Sequence, residues 1–258
     1  MADGNAKPIR SIAGQKTLLA RTNHGIAYDE IRDLVLVPQF YAQAILVFRG
    51  GANGEEAPIR VIQGPRTQLK AFDRLALDAV HNEIYVPQRD EVLVFDGNAQ
   101  GNVAPVRVLK GPDTDVRAAS VAVDPVNNLL VVGGMMGRRD GQLQIFNRTD
   151  SGNVKPKSVI RGPHTELTYI FGPITVYPPR KEIIAGIRGE GELASDECFV
   201  GVWSMDDKGD APPRWRIGGP KGILQQVRGM TLIPAHKNLV VTDKRLNAVL
   251  TFYFPEMF

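Results

Sequence analysis

Five corresponding positions of a repeated sequence carry side chains that differ in charge and chemistry. They are occupied by His24, Asp73, Ala119, Gly172 and Arg228. An imidazole, a carboxylate and a guanidinium brought together could bind an anion or a polar ligand, or could position a general base. The residues beside three of these positions would join the same cluster: Asn23, Arg74 and Ser120.

The same residues also have a purely structural interpretation. Asp73 would pair with Arg74 or Arg228, and His24 would cap a turn. Under the functional interpretation, replacing His24 by alanine weakens ligand binding.

A second polar set follows three apolar runs at corresponding places. It consists of Gln39, Gln88 and Asp243, with Phe40 and Tyr41 next to the first glutamine. Amides beside an aromatic side chain suit a sugar or peptide site. They equally suit packing at the rim of a fold, and both interpretations stay open.

Metal chemistry has one candidate segment, residues 188–198, which contains Glu190, Glu192, Asp196 and Glu197. Carboxylates in that number could hold Ca²⁺, although their spacing matches no calcium loop, and a solvated acidic loop is the alternative. The four histidines form no metal-ligand pattern, and Cys198 is the single cysteine, so no internal disulfide forms. The sequence therefore predicts no cofactor, with Ca²⁺ or another divalent metal as the alternative.

The elements that position these residues come from a repeat that recurs roughly every 50 residues, a period typical of solenoids and propellers. Four of its copies contain Gly-x-x-Thr, as Gly64 to Thr67 illustrates, and the fifth keeps only the glycine, Gly218. The copies begin at Pro8, Pro58, Pro105, Pro156 and Pro212.

Each repeat holds four apolar runs of strand length, which we call a, b, c and d. In the second copy they cover 74–78, 83–87, 91–95 and 105–110, with turn residues between them. Four antiparallel strands repeated radially predict an all-β, five-bladed β-propeller formed by residues 1–258 as one domain. The b–c and d–a loops then meet on one face, where the polar sets above should lie.

Closure of the ring is expected from the two ends of the chain. Segment 8–13 reads as a d strand without its own a, b and c strands, and the fifth copy has no d strand after its c strand at 248–252. We expect segment 8–13 to join the C-terminal blade and hide its edge. Deletion of residues 1–14 should then cause aggregation.

Composition excludes several classes of protein. The net charge of +3 is spread along the repeats, so a nucleic-acid surface is not indicated. No apolar run reaches the length of about 18 residues that a membrane span needs. A monomer is expected. The lone cysteine fits the cytosol, and also a periplasmic or secreted protein whose signal peptide has been removed.

Three segments resemble NHL-type and related six-bladed propeller repeats: 25–29, 75–78 and 121–124, each ending in aspartate. The resemblance covers essentially the whole chain, but the blade count is five, and Tyr177 and Ile233 replace the aspartate in the last two copies. It implies a propeller fold and a family that includes interaction scaffolds, sugar-lactone hydrolases and lyases.

Two functions remain in competition. The first is a non-enzymatic propeller that binds a small polar molecule or a protein partner over the ring axis, which the regular repeats favour. The second is a metal-assisted hydrolase or lyase of the lactonase type. For that role the chain offers His24, Asp73 and Asp243, fewer ligands than the resemblance implies.

Overall fold

Five antiparallel β-sheets follow one another along the chain, and each is built from one repeat. The computed structural model describes residues 4–21, 23–137, 139–170, 172–188 and 195–258. We call the sheets blades 1 to 5 in chain order. Blade 1 contains β1 (Ala27–Asp29), β2 (Leu34–Gln39), β3 (Ala44–Arg49) and β4 (Arg60–Gln63). Blade 2 contains β5 (Ala76–Asp78), β6 (Glu83–Gln88), β7 (Glu91–Asp96) and β8 (Arg107–Lys110).

The remaining strands continue the same order of hydrogen-bonded neighbours. Blade 3 contains β9 (Ala118–Asp124), β10 (Leu129–Gly137), β11 (Asp140–Asn147) and β12 (Ser158–Ile160). Blade 4 contains β13 (Ile174–Tyr177), β14 (Glu182–Ile187), β15 (Phe199–Ser204) and β16 (Trp215–Gly218). Blade 5 contains β17 (Val227–Ile233), β18 (Asn238–Asp243) and β19 (Ala248–Tyr253).

The first strands of successive blades contact one another, β1 with β5, β5 with β9, β9 with β13 and β13 with β17. The a strands therefore surround a common centre. The protein is an all-β, five-bladed β-propeller, as the repeats predict.

The helices of the described residues are single 3-10 turns, and four of them carry the repeated threonine. In the second copy, Gly64 has φ 127°, and the hydroxyl of Thr67 donates to its carbonyl oxygen at 2.6 Å. The threonine oxygen also accepts from the backbone N–H of Leu69 at 3.2 Å, so one buried hydroxyl fixes the d–a connection. The turns with this threonine are Gln15–Thr17, Pro65–Thr67, Pro112–Thr114 and Pro163–Thr165. The other turns are Pro178–Arg180, Ser195–Glu197, Pro234–His236 and Pro255–Met257.

The core lies between the blades and is built on one c-strand position that carries an aromatic residue. Phe95 of β7, for example, is fully buried among Leu36 and Val47 of blade 1 and Ile84 of its own blade. The fully buried members of this set are Phe48, Phe95, Phe146 and Trp203, and Phe252 is partly buried. Four of these aromatic residues belong to clusters shared by two neighbouring blades, whereas Phe48 packs with residues of blade 1 and with Ile12 and Leu19.

The aspartates that end the first three a strands stabilise the a–b turns. Asp29 accepts from the backbone N–H groups of Ile31 and Arg32, both at 3.0 Å. Asp78 and Asp124 accept from backbone N–H groups in the same way. The same turn-stabilising role in three blades accounts for these carboxylates without any catalytic arrangement.

The expected closure between the two ends of the chain is not formed. No described strand pairs with the outer edge of β19, so blade 5 has three strands within the described ranges. Segment 8–13 instead lies against blade 1, where Ile12 bridges to Gly54. The same bridge joins three other d strands, β4, β8 and β12, to the following blade, as Ile62 does with Gly101.

Exposure confirms this correction. Ile9 is 93% exposed, and Val249 and Tyr253 of β19 are 69% and 71% exposed. Segment 8–13 thus bridges to the following blade, as other d strands do, but it does not pair with the c strand of blade 5, β19. Pro8, which has no N–H to donate, adds nothing to a ladder there. An open cleft separates blade 5 from blade 1 as a result.

Candidate functional site

A cavity of about 1150 Å³ occupies the centre of the ring. Every blade contributes to its wall, including His24 from blade 1, Arg74 from blade 2, Ser120 from blade 3, Ile174 from blade 4 and Arg228 from blade 5. We call this cavity the axial pocket. It extends from the ring centre into the cleft between blades 1 and 5.

His24 and Asp73 form a pair at the rim of the pocket. The His24 Nδ1 and Asp73 Oδ1 atoms lie 2.8 Å apart, and the two side chains are 34% and 40% exposed. Gly25 permits this approach, because a Cβ atom there would lie 2.8 Å from the main-chain oxygen of Asp73. The imidazole is thus bonded across the boundary of blades 1 and 2 instead of capping a turn in its own blade.

Arg74 is buried at the centre of the ring, with 8% of its surface exposed. Its Nη1 atom donates to the main-chain oxygen of Arg228 at 2.9 Å. Burial, followed by repulsion from the guanidinium of Arg228, lowers the pKa of Arg74 to about 10. A cation held in this way gains from any negative charge brought into the pocket.

Two further arginines add to the positive charge. Burial, and then the charge of Arg188, lowers the pKa of Arg228. The Nε atoms of Arg188 and Arg228 are both buried and have no hydrogen-bond partner in the part of the chain that the structure describes. Arg188 also lies over the ring of Tyr169, 5.7 Å from its centroid.

Arg188 is not among the residues that the sequence pattern predicts for the site. It directly follows β14, so it lies at the end of a b strand, where Gln39, Gln88 and Asp243 lie in other blades. Lys244 follows β18 in the same way and lines the pocket.

The structure thus brings four of the predicted residues together: His24, Asp73, Arg74 and Arg228. It places the other three elsewhere. Gln39, which is fully buried, accepts from the backbone N–H of Ala20 at 2.6 Å and donates to Asn23 Oδ1 at 2.7 Å.

Gln88 and Asp243 have the same kind of environment as Gln39. Gln88 accepts from the backbone N–H of Lys70 and donates to the main-chain oxygen of Gln68 at 3.1 Å. The Oδ2 atom of Asp243 accepts from the N–H groups of Gln225 and Gln226, both at 2.7 Å. All three side chains bond to d–a loops and none of them lines the axial pocket, so we do not place them among the ligand contacts.

The acidic segment of blade 4 is only partly described, and Glu190 and Glu192 lie outside the described residues. Glu197 accepts two hydrogen bonds from the guanidinium of Arg139, at 3.1 and 2.8 Å. Over the described ranges, no group of three or more His, Cys, Asp or Glu side chains is placed to hold a metal ion.

One wall of the axial pocket is apolar. On the side of blade 1 it is formed by Ile12, Leu19, Val35, Val37 and Phe48. Met230 and Val240 of blade 5 face them across the cleft. The pocket therefore combines a cationic centre with an apolar side.

Comparison with known proteins identifies the fold. No family model matches the sequence. The chain is similar to one in the structure of a nidogen–laminin complex, with a TM-score of 0.58 and 17% identity over 88% of this chain and 74% of that one. It is also similar to Kuenenia stuttgartiensis hydrazine synthase, with a TM-score of 0.62 and 12% identity over 88% of this chain and 63% of that one.

A third similar structure is a mitotic checkpoint complex, with a TM-score of 0.55 and 16% identity over 83% of this chain and 57% of the matched one. The chain thus spans less than two thirds of the matched chains in hydrazine synthase and in the checkpoint complex. Likeness at these identities supports the β-propeller fold, and the specific relation to NHL repeats stays a prediction. No helix in the described ranges is long and apolar enough to cross a membrane.

Proposed function

We propose that this protein is a non-enzymatic, NHL-like propeller that binds a small polar ligand over the ring axis, on the face of the d–a and b–c loops. The observation that carries the proposal is the axial pocket, in which His24, Arg74 and Arg228 of three different blades line one cavity of about 1150 Å³. Ligand sites are concave and use a few polar groups to fix orientation. Because the polar residues differ from blade to blade, the ring offers one site and not five equivalent ones.

The proposal is tested by screening small polar molecules with ¹H–¹⁵N NMR spectra. Ligands should shift the amide signals of Ser120 and Gly229 and should bind one per chain. The variant His24→Ala should lose about tenfold in affinity, the effect of one charge-assisted hydrogen bond.

His236→Ala is the matched control, because His236 lies in the 3-10 turn after β17, at the opposite end of that strand from Arg228. It should leave the affinity unchanged. Equal losses in both variants, or a screen without any ligand at the pocket amides, would contradict the proposal.

A protein partner on the same face is the second candidate. It is supported by the similarity to chains in two multiprotein structures, a nidogen–laminin complex and a mitotic checkpoint complex. Cross-linking to a purified partner should then join it to lysines of the d–a loops, such as Lys70, and not to Lys237 in the a–b turn of blade 5.

The enzymatic alternative is a metal-assisted hydrolase or lyase. It requires a stoichiometric divalent metal that is lost in His24→Ala or Asp73→Ala. Elemental analysis of the purified protein separates this alternative from the binding function, since the proposed ligand site needs no metal.

A further inference from the structure

We propose that the ligand of the axial pocket is an amphiphilic organic anion. Its carboxylate or phosphate group lies on the guanidinium groups of Arg74 and Arg228, and its apolar body lies in the cleft between blades 1 and 5. This inference rests on the proposed function, because it assigns a chemical class to the molecule that the pocket binds.

The charge balance of the pocket calls for an anion. Arg74, Arg228 and Lys244 line the wall, and Arg188 is close enough to both arginines to lower their pKa values. The carboxylate of Asp73 acts on both Arg74 and Arg228, but it is bonded to His24. Glu30, the one carboxylate of the wall among the described residues, follows β1 and so lies at the other end of that strand from His24.

Within the described ranges, two buried arginine donors near the ring centre also lack an acceptor. The Nε atoms of Arg228 and Arg188 are buried and, over the described ranges, bond to no acceptor. A buried donor left without a partner costs free energy, whereas an oxyanion can accept from Nε and Nη of one guanidinium at once. The edge of the Arg228 guanidinium that carries Nε is therefore placed to bind one oxyanion group.

The apolar wall explains why the ligand should be amphiphilic. Between blades 1 and 2, corresponding apolar faces pack directly, as Val47 and Phe95 do. Between blades 5 and 1 the faces stay apart, and Val35, Val37 and Val240 line the axial pocket instead. A hydrocarbon or aromatic body of the ligand would fill the space that a blade–blade contact fills elsewhere.

The experiment compares four probes by isothermal titration calorimetry at constant ionic strength: octanoate, butanoate, octanamide and octyl phosphate. Octanoate should bind one per chain, and affinity should fall about fourfold for each buried methylene removed on the way to butanoate. Octanamide, which keeps the chain but not the charge, should bind at least about tenfold more weakly than octanoate. The affinities of octyl phosphate and octanoate show whether the pocket prefers a phosphate or a carboxylate group. Tighter binding of either anion than of octanamide supports the inference.

Arg228→Gln should reduce the affinity for octanoate by about tenfold or more and leave that for octanamide unchanged. The bond from Arg74 survives in this variant, because its acceptor is the main-chain oxygen of residue 228. Arg89→Gln is the matched control: it makes the same charge change at a side chain that is 87% exposed in the b–c loop of blade 2. Arg228→Lys keeps the charge but loses the planar fork, and should give an intermediate affinity.

Equal binding of octanamide and octanoate, or equal effects of Arg228→Gln and Arg89→Gln, would overturn the anion while leaving a ligand site in the pocket. Binding of neutral polar compounds alone would do the same. If neither the four probes nor the wider screen perturbs the pocket amides, the proposed function fails together with the inference.

Discussion

Arg74 in blade 2 donates across the ring centre to the main-chain oxygen of Arg228 in blade 5, with the two atoms 2.9 Å apart. The two residues are 154 positions apart in the sequence, so the bond ties distant repeats together. It also holds a guanidinium in a buried position where other arginines surround it. The hydrogen bond therefore stabilises the centre of the ring, whereas the burial of Arg74 beside other positive charges destabilises it.

The first prediction concerns the cost of that charge. Folding lowers the pKa of Arg74 well below the usual value of an arginine, to about 10, which corresponds to roughly 3 kcal/mol of destabilisation at neutral pH. Because the folded pKa is the lower one, this cost is fully present below about pH 10 and shrinks as the pH rises from there towards the usual pKa of an arginine.

Arg74→Met removes the cost, and buried charges replaced by apolar side chains often leave stability equal or higher. We expect the variant to be at least as stable as the wild type at pH 7 and this advantage to shrink by roughly 1 kcal/mol at pH 11. Urea unfolding at both pH values measures it. If the stability of Arg74→Met relative to the wild type increased with pH, Arg74 would not be the buried cation described here.

The second prediction concerns the close approach of blades 1 and 2. Gly25→Ala would place a Cβ atom 2.8 Å from the Asp73 main-chain oxygen and 3.3 Å from the Arg74 Cα. We expect a loss of about 1–3 kcal/mol in unfolding free energy, because backbone must move to admit the methyl group. Ligand affinity should also fall, since the His24–Asp73 pair is displaced.

Gly137→Ala is the control for this change. Among the described residues, a Cβ at Gly137 would meet nothing nearer than the Asp140 Cβ at 3.9 Å. Thermal unfolding should therefore separate the two variants by several degrees. Identical melting temperatures would show that the Gly25 contact is not tight.

The third prediction concerns the repeated threonine. Thr67→Val keeps the shape of the side chain but removes the 2.6 Å hydrogen bond to the Gly64 oxygen and the acceptor for the Leu69 N–H. The expected loss in unfolding free energy is about 1–3 kcal/mol. Thr251→Val, on the exposed face of β19, should change it by less than about 0.5 kcal/mol. A Thr67 variant as stable as the Thr251 variant would contradict the role assigned to the buried hydroxyl.

The fourth prediction separates bracing from ligand binding at Gln88. Gln88→Leu leaves the Lys70 N–H and the Gln68 oxygen without this side-chain partner. We expect a loss of about 1–3 kcal/mol in unfolding free energy and an affinity for octanoate within about twofold of the wild type. Gln100→Leu, at an exposed position of the c–d loop, should change neither quantity. A Gln88 variant with normal stability and weakened binding would instead make this amide a ligand contact.

Much of the fold could be predicted because the same pattern of strands and turns occurs in five copies along the chain. The b and c strands of the second blade were expected at 83–87 and 91–95 and occur at Glu83–Gln88 and Glu91–Asp96. The d strand begins at Arg107 instead of Pro105, and the a strand begins at Ala76 because Arg74 turns into the ring centre.

The site was only partly predictable. Corresponding positions in the repeat show which residues reach one face, and this brought His24, Asp73, Arg74 and Arg228 into one group. They do not show whether a side chain at that face turns towards the pocket or towards its own loop. Gln39 bonds to Ala20, 19 residues away, through a loop whose path the repeat pattern does not contain. The predicted closure of the ring is wrong for a similar reason. A d-type segment at one end of the chain and a blade without a d strand at the other do not determine whether the two pair.

The open side of β19 has a consequence for handling the protein. Its backbone donors and acceptors face outward without a described neighbour, and residues 248–253 (Ala-Val-Leu-Thr-Phe-Tyr) include no charged side chain. Natural proteins place lysine or proline on such borders to prevent molecules from adding to one another. This strand is therefore the expected place for molecules to associate at high concentration, and Val249→Lys, at an exposed position away from the ring centre, should reduce that association.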